Sequence, residues 1–499
     1  MLIPYAPILA LLLPTVSPVI IYPVGKRYGK FAEIASIVVA ILTAIFVFSM
    51  IPDILAGSII SYYPGYEFAP TLGISFGILV NAVSFPLMGV IALVSCFATI
   101  YSYKYMKDEP GHAGYYANLL LFFGGMMGVV VATNLIQFYI FWELMLVPSW
   151  LLIAFWGTPG QGPKIGFKYF IFTHVGALCM LLGIFVLFAL TGTFDMVVLG
   201  SLIASASIPF DLMAAILFLF MIGFTVKMAA FPVHTWLPDA HGEAPTPISA
   251  MLSGIMIKLG AFALARIALT FMGDVVLSAR TIISALAVVT MVWGGFMAIA
   301  QTDIKRLLAY SSVSQMGYIL FGLSVYSELG LTGGLFHIVA HALGKGALFM
   351  CAGTLMHEVG TRDIRKMGGL ASKMPITAIV FLISALSLSG TPPLAGFTSE
   401  WMIFTGGLAE IATSPEMLWI TSIALISTIL TPAYYLWTVW RIFFGQPRQN
   451  QDHVREAPSS MWVPMILMAA LTVIFGIFPH LLLNVISRAV ADILGGVFL

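Results

Sequence analysis

The chain carries few charged residues for its length. Asp, Glu, Lys and Arg make up only 9% of its 499 residues, whereas hydrophobic residues make up 60%. Soluble domains carry roughly 25% charged and about 45–50% apolar residues. No soluble core could absorb so much apolar sequence, so this composition excludes an ordinary soluble domain and indicates a membrane protein.

Cofactor-binding motifs are also scarce. The three cysteines, Cys96, Cys179 and Cys351, lie within apolar runs, and no CxxC pair occurs. Iron–sulfur or zinc ligation by this chain alone is therefore not expected, and no GxGxxG or Walker A sequence stands in a suitable context. We predict no cofactor and no metal in this chain.

Strong charge of either sign is absent as well. The net charge is +1, which leaves no basic surface for nucleic acid. The first apolar run lacks a basic segment before it and a small-residue cleavage site, so we interpret it as a membrane span rather than a removed signal peptide.

Long apolar runs predict about fourteen spans of a lipid bilayer, since each crossing needs roughly 20 residues. The expected limits are 4–23, 31–52, 72–102, 113–132, 135–156, 167–192, 212–231, 246–271, 279–301, 308–326, 330–357, 374–406, 415–445 and 461–488. The predicted fold class is an all-α polytopic membrane protein.

Lysines and arginines divide unevenly between the loops. Of the 22, sixteen lie in loops that follow odd-numbered spans, and the opposite loops hold Arg266, Arg280 and Arg488. Because basic residues concentrate in cytoplasmic loops, we expect both termini on the outer side of a bacterial or archaeal cell membrane.

Two predicted spans are interrupted by proline. The seventh meets Pro232, and the twelfth meets Pro392 and Pro393, five spans later. Broken helices in corresponding places of two halves indicate inverted repeats with an ion site near the midplane. We therefore expect two inverted five-helix repeats, in helices 4–8 and 9–13. The expected segments are 1–112, 113–272 (first repeat), 273–445 (second repeat) and 446–499.

Five ionisable residues fall inside apolar segments, namely Glu143, Lys227, Lys258, Lys345 and Glu400. A lysine at the centre of a bilayer costs roughly 2.5–3.5 kcal/mol or more. One such residue could be an accident of packing, but five suggest a path for ions or protons.

Glu143 and Lys227 are candidates for an ion pair, because opposite charges in a low-dielectric bundle hold each other ionised. A proton that arrives at either residue would weaken the pair. The alternatives are a protonated Glu143 that hydrogen-bonds a neighbouring helix, and a Lys227 that merely satisfies the carbonyls of the broken helix. Lys258 lies too deep for easy snorkelling, which favours a role in a relay.

His337, His341 and Lys345 recur at i, i+4 and i+8. A rise of 1.5 Å per residue places them along one helix face over roughly 12 Å, and histidine titrates near neutral pH. We interpret this row as a proton wire. Two packed core histidines or a metal site are the alternatives, although a metal would need further ligands and no lysine on that face.

The remaining candidates are polar residues close to the two breaks and in the tenth span. Glu400 would exchange protons with the outer aqueous phase, or would only cap the resumed helix. The tenth-span residues either bond across helices or line a hydrated channel; they are Ser311, Ser312, Ser314 and Gln315. The residues after the first break either gate ion uptake or are solvated; they are His234, Asp239, His241 and Glu243.

Five stretches of the chain resemble the Mrp antiporter-like subunits of respiratory complex I and of membrane-bound hydrogenases. They are FWELMLVPSW, KMAAFPVHTWLPDAHGEAPTPISAMLSGIMIKLG, QTDIKRLLAYSSVSQMGY, HIVAHALGKGALF and SGTPPLAGFTSEW. They extend from span four to span thirteen, and the long central block is highly specific. The resemblance implies fourteen helices, two inverted five-helix repeats, and broken helices seven and twelve.

The same resemblance implies roles for individual residues. Glu143 and Lys227 would be the ion pair, Lys258 the central relay, the His337 to Lys345 row the connection onward, and Glu400 the position facing the outer exit. A glutamate at that last position resembles the M-type subunit of complex I. Lys345 resembles antiporter D-type and hydrogenase- or sulfane-reductase-type relatives more closely.

The sequence therefore predicts a proton- or sodium-translocating subunit of a larger redox-driven complex. Expected partners are antiporter-like and small helical membrane subunits, together with peripheral iron–sulfur redox subunits that supply the energy. A disturbance of the Glu143–Lys227 pair would push a proton toward Lys258, the histidine row and Glu400. The alternatives are a multisubunit sodium/proton antiporter without a redox partner, a non-pumping structural subunit, and a solute transporter.

Overall fold

The computed structural model describes residues 3–158, 160–206, 208–448 and 451–498. These residues are mostly helical, and twelve helices among them are long and apolar enough to cross a membrane. The chain is an integral, multi-pass membrane protein, which confirms the class predicted from composition.

The N-terminal part contains three helical spans and a β-ribbon. Its elements are α1 (Ala6–Val16), α2 (Pro18–Arg27), α3 (Gly29–Phe48), α4 (Ile51–Leu55), β1 (Ile60–Ala69), a 3₁₀ turn (Pro70–Leu72), β2 (Ile74–Val80) and α5 (Phe85–Tyr105). The first two helices together, and α3 with α4, form the first two candidate spans.

The antiparallel pair of strands corrects two predictions, because the chain is not all-α and its third membrane helix begins at Phe85 rather than at 72. Aromatic residues concentrated in β1 favour a strand, and Gly73 turns the chain at a φ of +67° that favours glycine. The Tyr63 hydroxyl donates a 2.6 Å hydrogen bond to Asp195, which raises the pKa of Tyr63 to about 12 and ties the ribbon to the next part of the chain.

The middle part holds the first interrupted helix. Its elements are α6 (His112–Val131), α7 (Leu135–Trp156), α8 (Gly162–Thr191), α9 (Met196–Ser205), α10 (Phe210–Met228), α11 (Trp236–Glu243), α12 (Thr246–Met251), a π-helical turn (Leu252–Met256), α13 (Lys258–Ala263) and a second π-helical turn (Leu264–Leu269). The last four elements form one wholly buried span, Thr246–Leu269.

The remaining part holds the second interrupted helix. Its helices are α14 (Gly273–Ser278), α15 (Arg280–Ile299), α16 (Ile304–Ser324), α17 (Glu328–Val359), α18 (Pro375–Leu388), α19 (Ala395–Ala409), α20 (Met417–Ser427), α21 (Leu430–Val439), α22 (Ser459–Ile477) and α23 (His480–Leu494). Short 3₁₀ turns cover Ile364–Lys366, Leu370–Ser372 and Glu410–Ala412, and a π-helical turn covers Trp440–Phe444.

Both interruptions occur at the prolines that predicted them. α10 ends before Pro232 and the chain resumes as α11, while α18 ends before Pro392 and Pro393 and resumes as α19. Proline lacks the N–H that would continue a helix. At the first break the Trp236 indole donates a 3.0 Å hydrogen bond to the carbonyl of Val226, which also accepts from the backbone N–H of Ala229.

The predicted span 461–488 is wrong, because two helices occupy it. α22 ends at Ile477 and α23 begins at His480, since Pro479 disfavours a helical conformation at the residue before it. α23 packs against the N-terminal part, where the Arg488 guanidinium donates to the carbonyls of Ile54 and Leu55 at 3.0 and 2.7 Å.

Three cations assigned to loops are also buried. Lys305 donates to the carbonyl of Ala244. Arg266 donates to Asn81 Oδ1 at 3.1 Å and lies 3.9 Å from the ring centroid of Phe498. The third, Arg280, pairs with Glu410 at 2.7 Å. Long basic side chains reach inward from helix ends in this chain, which a count of loop charges cannot reveal.

Candidate functional site

The structure collects six of the predicted residues along neighbouring helices in the interior. They are Lys227 at the end of α10, Lys258 on α13, His337, His341 and Lys345 on α17, and Glu400 on α19. Each is at most 7% exposed. Charged groups buried within a membrane protein are costly and concentrate on ion pathways. We call these six residues the row, and the contacts of each residue decide whether protons can pass along it.

Glu143 does not form the predicted ion pair with Lys227. Its Oε2 lies 3.0 Å from Nδ1 of His174 on α8, while Oε1 is buried without a hydrogen-bond partner among the described residues. His174 was missed at the sequence level, because a lone histidine in an apolar run resembles an ordinary core residue.

Lys227 lies at the end of α10, with its ammonium beside one aromatic ring. Nζ lies 5.2 Å from the ring centroid of Trp142 and has no hydrogen-bond partner within the part of the chain that the structure describes. The charge of Glu143 still acts on Lys227 electrostatically. Lys227 therefore does not satisfy the carbonyls of the broken helix, which excludes that structural alternative in this conformation.

Lys258 is fully buried and is held by its own helix. Its Nζ donates to the carbonyl of Ser253, within the π-helical turn Leu252–Met256. π-turns widen a helix and are frequent at functional sites. The Ser253 hydroxyl lies 2.7 Å from that of Ser312, which joins this span to α16. Snorkelling is excluded because the ammonium points into the bundle.

The histidine row lies on α17, which is buried on every face from Gly330 to Leu355. Nδ1 of His337 is 2.8 Å from the Ser399 hydroxyl, and Nε2 is 2.9 Å from Gln315 Oε1. The rings of His337 and His341 stack at 6.0 Å. Neither nitrogen of His341 has a hydrogen-bond partner among the residues described, which leaves that ring free to exchange a proton.

Lys345 ends the row. Its Nζ donates to the Leu308 carbonyl at 2.9 Å and to the Ser311 hydroxyl, and it lies 5.3 Å from the ring centroid of Tyr435. The tenth-span serines do bond across helices, as Ser314 also donates to the carbonyl of Met291 at 2.9 Å. Ser311 contacts Lys345 directly, and Ser312 bonds to Ser253, whose carbonyl accepts from Lys258, so these two serines also lie beside the row.

Glu400 lies inside α19, which begins five residues earlier at Ala395. Leu394 occupies the N-cap position, so the alternative that Glu400 caps the resumed helix is wrong. Oε2 lies close to Gly390, at a position that an added methyl group would occupy. Oε1 is buried and unpaired within the described ranges.

The residues after the first break are held rather than freely solvated. Asp239 accepts from Lys168 at 2.6 Å and from Arg306 at 3.0 Å. His234 accepts from the Trp293 indole at 3.0 Å. The two basic partners of Asp239 lie on different helices, α8 and α16, far apart in sequence, so only the fold could reveal them.

Glu243 lines a cavity of about 830 Å³ at the end of the molecule where these basic residues meet. Lys305 and Arg362 also line this cavity. Two residues from Glu243, His241 is buried and stacks on Phe349 at 4.7 Å. Phe349 belongs to α17, so this stacking brings His241, which follows the first break, against the helix that carries His337, His341 and Lys345.

The arrangement does not suit a metal ion. Both nitrogens of His337 already have partners, and neither partner is a carboxylate. Over the described ranges, no group of three or more His, Cys, Asp or Glu side chains converges on one point. What the row can do chemically is pass protons between side chains that titrate or carry hydroxyl groups.

A family model described as NADH:quinone oxidoreductase/Mrp antiporter, TM, matches residues 132–431. The chain belongs to this family. A second family model, described as NADH-ubiquinone oxidoreductase (complex I), chain 5 N-terminus, matches residues 68–116 of the same chain. The resemblance inferred from the sequence motifs is thereby confirmed.

Curated relatives of this family member include subunits of two kinds of complex. F420H2 dehydrogenase subunit M of Methanosarcina mazei is 34% identical over 449 residues, which are 87% of this chain and 88% of that protein. NADH-quinone oxidoreductase subunit M of Pseudomonas aeruginosa is 34% identical over 83% of this chain and 81% of its own length. The A-type subunit of the Na⁺/H⁺ antiporter of Bacillus subtilis is 36% identical over 83% of this chain, which spans about half (54%) of that relative.

Solved structures share the fold along nearly the whole chain. Respiratory complex I from Thermus thermophilus with bound NADH contains a chain with a TM-score of 0.83 and 26% identity, which covers 98% of this chain and 100% of that one. The membrane-bound sulfane sulfur reductase, an archaeal respiratory membrane complex, gives a TM-score of 0.83 and 28% identity over 94% of this chain and 75% of that one. The Mrp complex from Dietzia shares the fold, with a TM-score of 0.85 at 22% identity over 99% and 98% of the two chains.

Proposed function

We propose that this chain is the ion-translocating membrane subunit of a redox-driven respiratory complex, and that it moves protons or sodium ions. One observation carries the proposal. Buried ionisable and hydroxyl side chains follow one another from Lys227 through Lys258 and His337 to Glu400, between two interrupted helices. Nothing in ordinary packing requires so many buried charges in one row.

Relatives favour a redox-driven complex over an isolated antiporter. The two M subunits align over more than four fifths of their own length, whereas the A-type antiporter protein aligns over about half. A sodium/proton antiporter component is the second candidate, because the A-type protein has the slightly higher identity, 36% against 34%.

Ion uptake begins in the cavity beside Glu243 and proceeds through His241 to Lys258. From Lys258 the proton passes to His341 and His337, and it leaves at Glu400. A change in charge at Glu143, which His174 holds 3.0 Å away, alters the field at Lys227 and starts the transfer. Charges in a low-dielectric interior act on one another strongly, so a change in charge at Glu143 can alter the protonation of Lys227.

The proposed topology has fourteen spans. The twelve apolar helices are joined by α16 and by the interrupted pair α18 and α19. Residues 113–272 and 273–445 form two inverted repeats, between an N-terminal segment 1–112 and a C-terminal segment 446–499. Both termini lie on the outer side of a bacterial or archaeal cell membrane, as the basic loops indicate.

Partners and cofactors follow from the same proposal. Other antiporter-like and small helical membrane subunits pack beside this chain, and peripheral redox subunits hold the iron–sulfur or other electron-carrying groups. The names of the relatives support this, since two of them are M subunits of a dehydrogenase and an oxidoreductase, and the sulfane sulfur reductase is described as a respiratory membrane complex.

The decisive experiment measures ion movement and electron transfer together, in the purified complex reconstituted into liposomes. We expect Lys258→Ala and Glu400→Gln to abolish redox-coupled ion uptake while the complex still assembles. Lys366→Ala is the matched control, since it removes a lysine from a loop turn outside the row. Full ion uptake in both row variants would refute the proposal, and loss of assembly in both would favour a structural role.

The same liposomes separate the two candidate functions. Ion movement that requires the electron donor supports a redox-driven complex. Sodium/proton exchange that proceeds under an imposed ion gradient without any donor supports the antiporter.

A further inference from the structure

The indole ring beside Lys227 is held in place from two helices, and the pathway above gives it no role. Lys227 Nζ lies over the Trp142 ring, 5.2 Å from its centroid, and each of the two residues is 1% exposed. The ring packs against Phe138 on its own helix at 5.4 Å and against Phe224 of α10 at 6.5 Å. The contact with the ammonium is therefore made by a fixed, buried ring.

Trp142 and Glu143 are consecutive residues of α7, and they contact different helices. Successive side chains of an α-helix point about 100° apart. The Trp142 ring packs against α10, which carries Lys227, whereas the Glu143 carboxylate contacts His174 on α8. In this conformation the ammonium of Lys227 therefore has the ring, and not the carboxylate, as its neighbour on α7.

The ring is the group that stabilises the charge on Lys227 where hydrogen bonds do not. Nζ has no hydrogen-bond partner among the described residues, and a buried charge without a partner is costly. The face of an aromatic ring attracts a cation, tryptophan more than tyrosine or phenylalanine, and the attraction is strongest when water is excluded. A neutral amine feels no comparable attraction, so the ring favours the protonated form of the lysine.

We propose that Trp142 is a positioning residue that holds the protonated Lys227 while Glu143 is bound to His174. This inference rests on the proposed function and extends it. When Glu143 leaves His174, its carboxylate replaces the ring as the partner of the ammonium, and when Glu143 returns, the ammonium goes back to the ring. The ring attracts a cation less strongly than a carboxylate does. The exchange therefore loosens the hold on the proton without leaving the buried charge unsupported.

Two substitutions of similar size separate this role from packing. Leucine at position 142 has no aromatic face, whereas phenylalanine keeps one. In the complex reconstituted into liposomes, W142L should lower redox-coupled ion uptake by about tenfold, the equivalent of 1.4 kcal/mol. W142F should restore most of the uptake that W142L loses. W150L is the matched control, because Trp150 lies on the same helix and packs against Phe170 at 5.1 Å, and it should leave uptake unchanged.

Fluorinated tryptophans at position 142 test the electrostatic part directly. Fluorine atoms withdraw electron density from the face of the indole and leave its shape almost unchanged, so they weaken the attraction for a cation and not the packing. Ion uptake should fall stepwise as one, two and three fluorines are introduced, and the trifluorinated ring should approach W142L. The same series at position 150 should leave uptake constant.

Constant uptake across the fluorine series at position 142, or an equal loss in W142L and W142F, would overturn the proposal. If W142L does not assemble, the fluorine series decides, because it keeps the shape of the ring. The His174→Leu background tests the exchange of partners. Glu143 is then free to replace the ring, so the fluorines should lose most of their effect, and an undiminished effect would refute the exchange.

Lys227→Ala separates the two levels of inference. Normal ion uptake in that variant would refute the start of the pathway at Lys227 itself, and with it the proposed function of the row at this end. Loss of uptake in Lys227→Ala together with constant uptake across the fluorine series would refute only the role of Trp142.

Discussion

The carboxylate of Glu143 lies 3.0 Å from His174 and leaves the ammonium of Lys227 unpaired. Glu143 and His174 are 21% and 36% exposed, so their contact lies toward the outer surface of the α7–α8 pair. Charged groups rarely face lipid, and a neighbouring subunit that covers this surface could change the contact directly. In the proposed mechanism, the site where energy arrives thus includes a histidine as well as the glutamate and lysine.

The first prediction concerns that histidine. His174→Leu removes a charge-assisted contact worth about 1.5–3 kcal/mol, which frees Glu143 to move toward Lys227. A carboxylate that stays beside Lys227 stabilises the ammonium and slows proton release. We expect redox-coupled ion uptake to fall by about tenfold, the equivalent of 1.4 kcal/mol.

The matched control for this variant is His112→Gln. Nδ1 of His112 contacts Glu33 at 2.6 Å in a pair of the same chemical type outside the row. The His112→Gln variant should leave ion uptake unchanged. Equal rates of ion uptake in the His112 and His174 variants would show that His174 has no special role.

The second prediction uses the contact between Gly390 and Glu400. A methyl group at Gly390 would collide with Oε2 of the carboxylate, so Gly390→Ala should displace Glu400 and block the outer exit. Gly192→Ala is the control, because Gly192 has a similar φ (+71° against +65°) but open space around it.

Both alanine variants carry the cost of a left-handed backbone, roughly 1–2 kcal/mol. Their thermal stabilities should therefore fall by similar amounts, while only Gly390→Ala loses ion uptake. Equal ion uptake in the two variants would show that Glu400 is not part of the outer exit pathway.

The third prediction is a matter of stability. The Glu456 carboxylate accepts hydrogen bonds from the backbone N–H groups of Ile376 and Thr377, at 2.7 and 3.2 Å, at the start of α18. Glu456→Ala removes this cap and should destabilise the chain by about 0.5–2 kcal/mol, measured as a lower thermal unfolding midpoint in detergent.

A neighbouring acid provides the comparison. Asp452 is fully exposed and contacts Lys373 at 3.3 Å, and an exposed pair contributes only about 0–1 kcal/mol. Asp452→Ala should therefore leave the midpoint nearly unchanged. A shift as large as that of Glu456→Ala would argue against the capping role.

The fourth prediction tests the orientation in the membrane. Thr361 lines the cavity at the end that holds the basic loops, and Ser201 is exposed on α9, next to the helix start that the β-ribbon contacts. In sealed vesicles, a membrane-impermeant thiol reagent should label Thr361→Cys only from the cytoplasmic side and Ser201→Cys only from the outer side. Labelling of both variants from one side would contradict the proposed topology. The parent chain, which has three cysteines of its own, gives the background labelling to be subtracted.

Residues of the row could be predicted because their signal is local. A lysine in an apolar run is conspicuous in any window of sequence, and the spacing of His337, His341 and Lys345 fixes a shared helix face. Contacts between helices have no such signal. His174 is 31 residues from Glu143 on another helix, and Asp239 meets basic partners that lie on two other helices, α8 and α16.

The fold shows the same limit. The predicted span 135–156 coincides with α7 (Leu135–Trp156), because an apolar helix between polar ends leaves a clear pattern. Ile74–Val80 is also apolar, and a short apolar strand cannot be told from part of a helix by hydrophobicity alone. The sequence-based third span therefore merged β2 with α5.

Asp239 has a mechanical consequence. Its carboxylate forms ion pairs with Lys168 on α8 and with Arg306 on α16. The segment that follows the first break is therefore bonded to one helix from each of the two proposed repeats. A movement that separates α8 from α16 would have to break at least one of these two ion pairs. We therefore expect the segment after the first break to keep its place between these helices while ions pass.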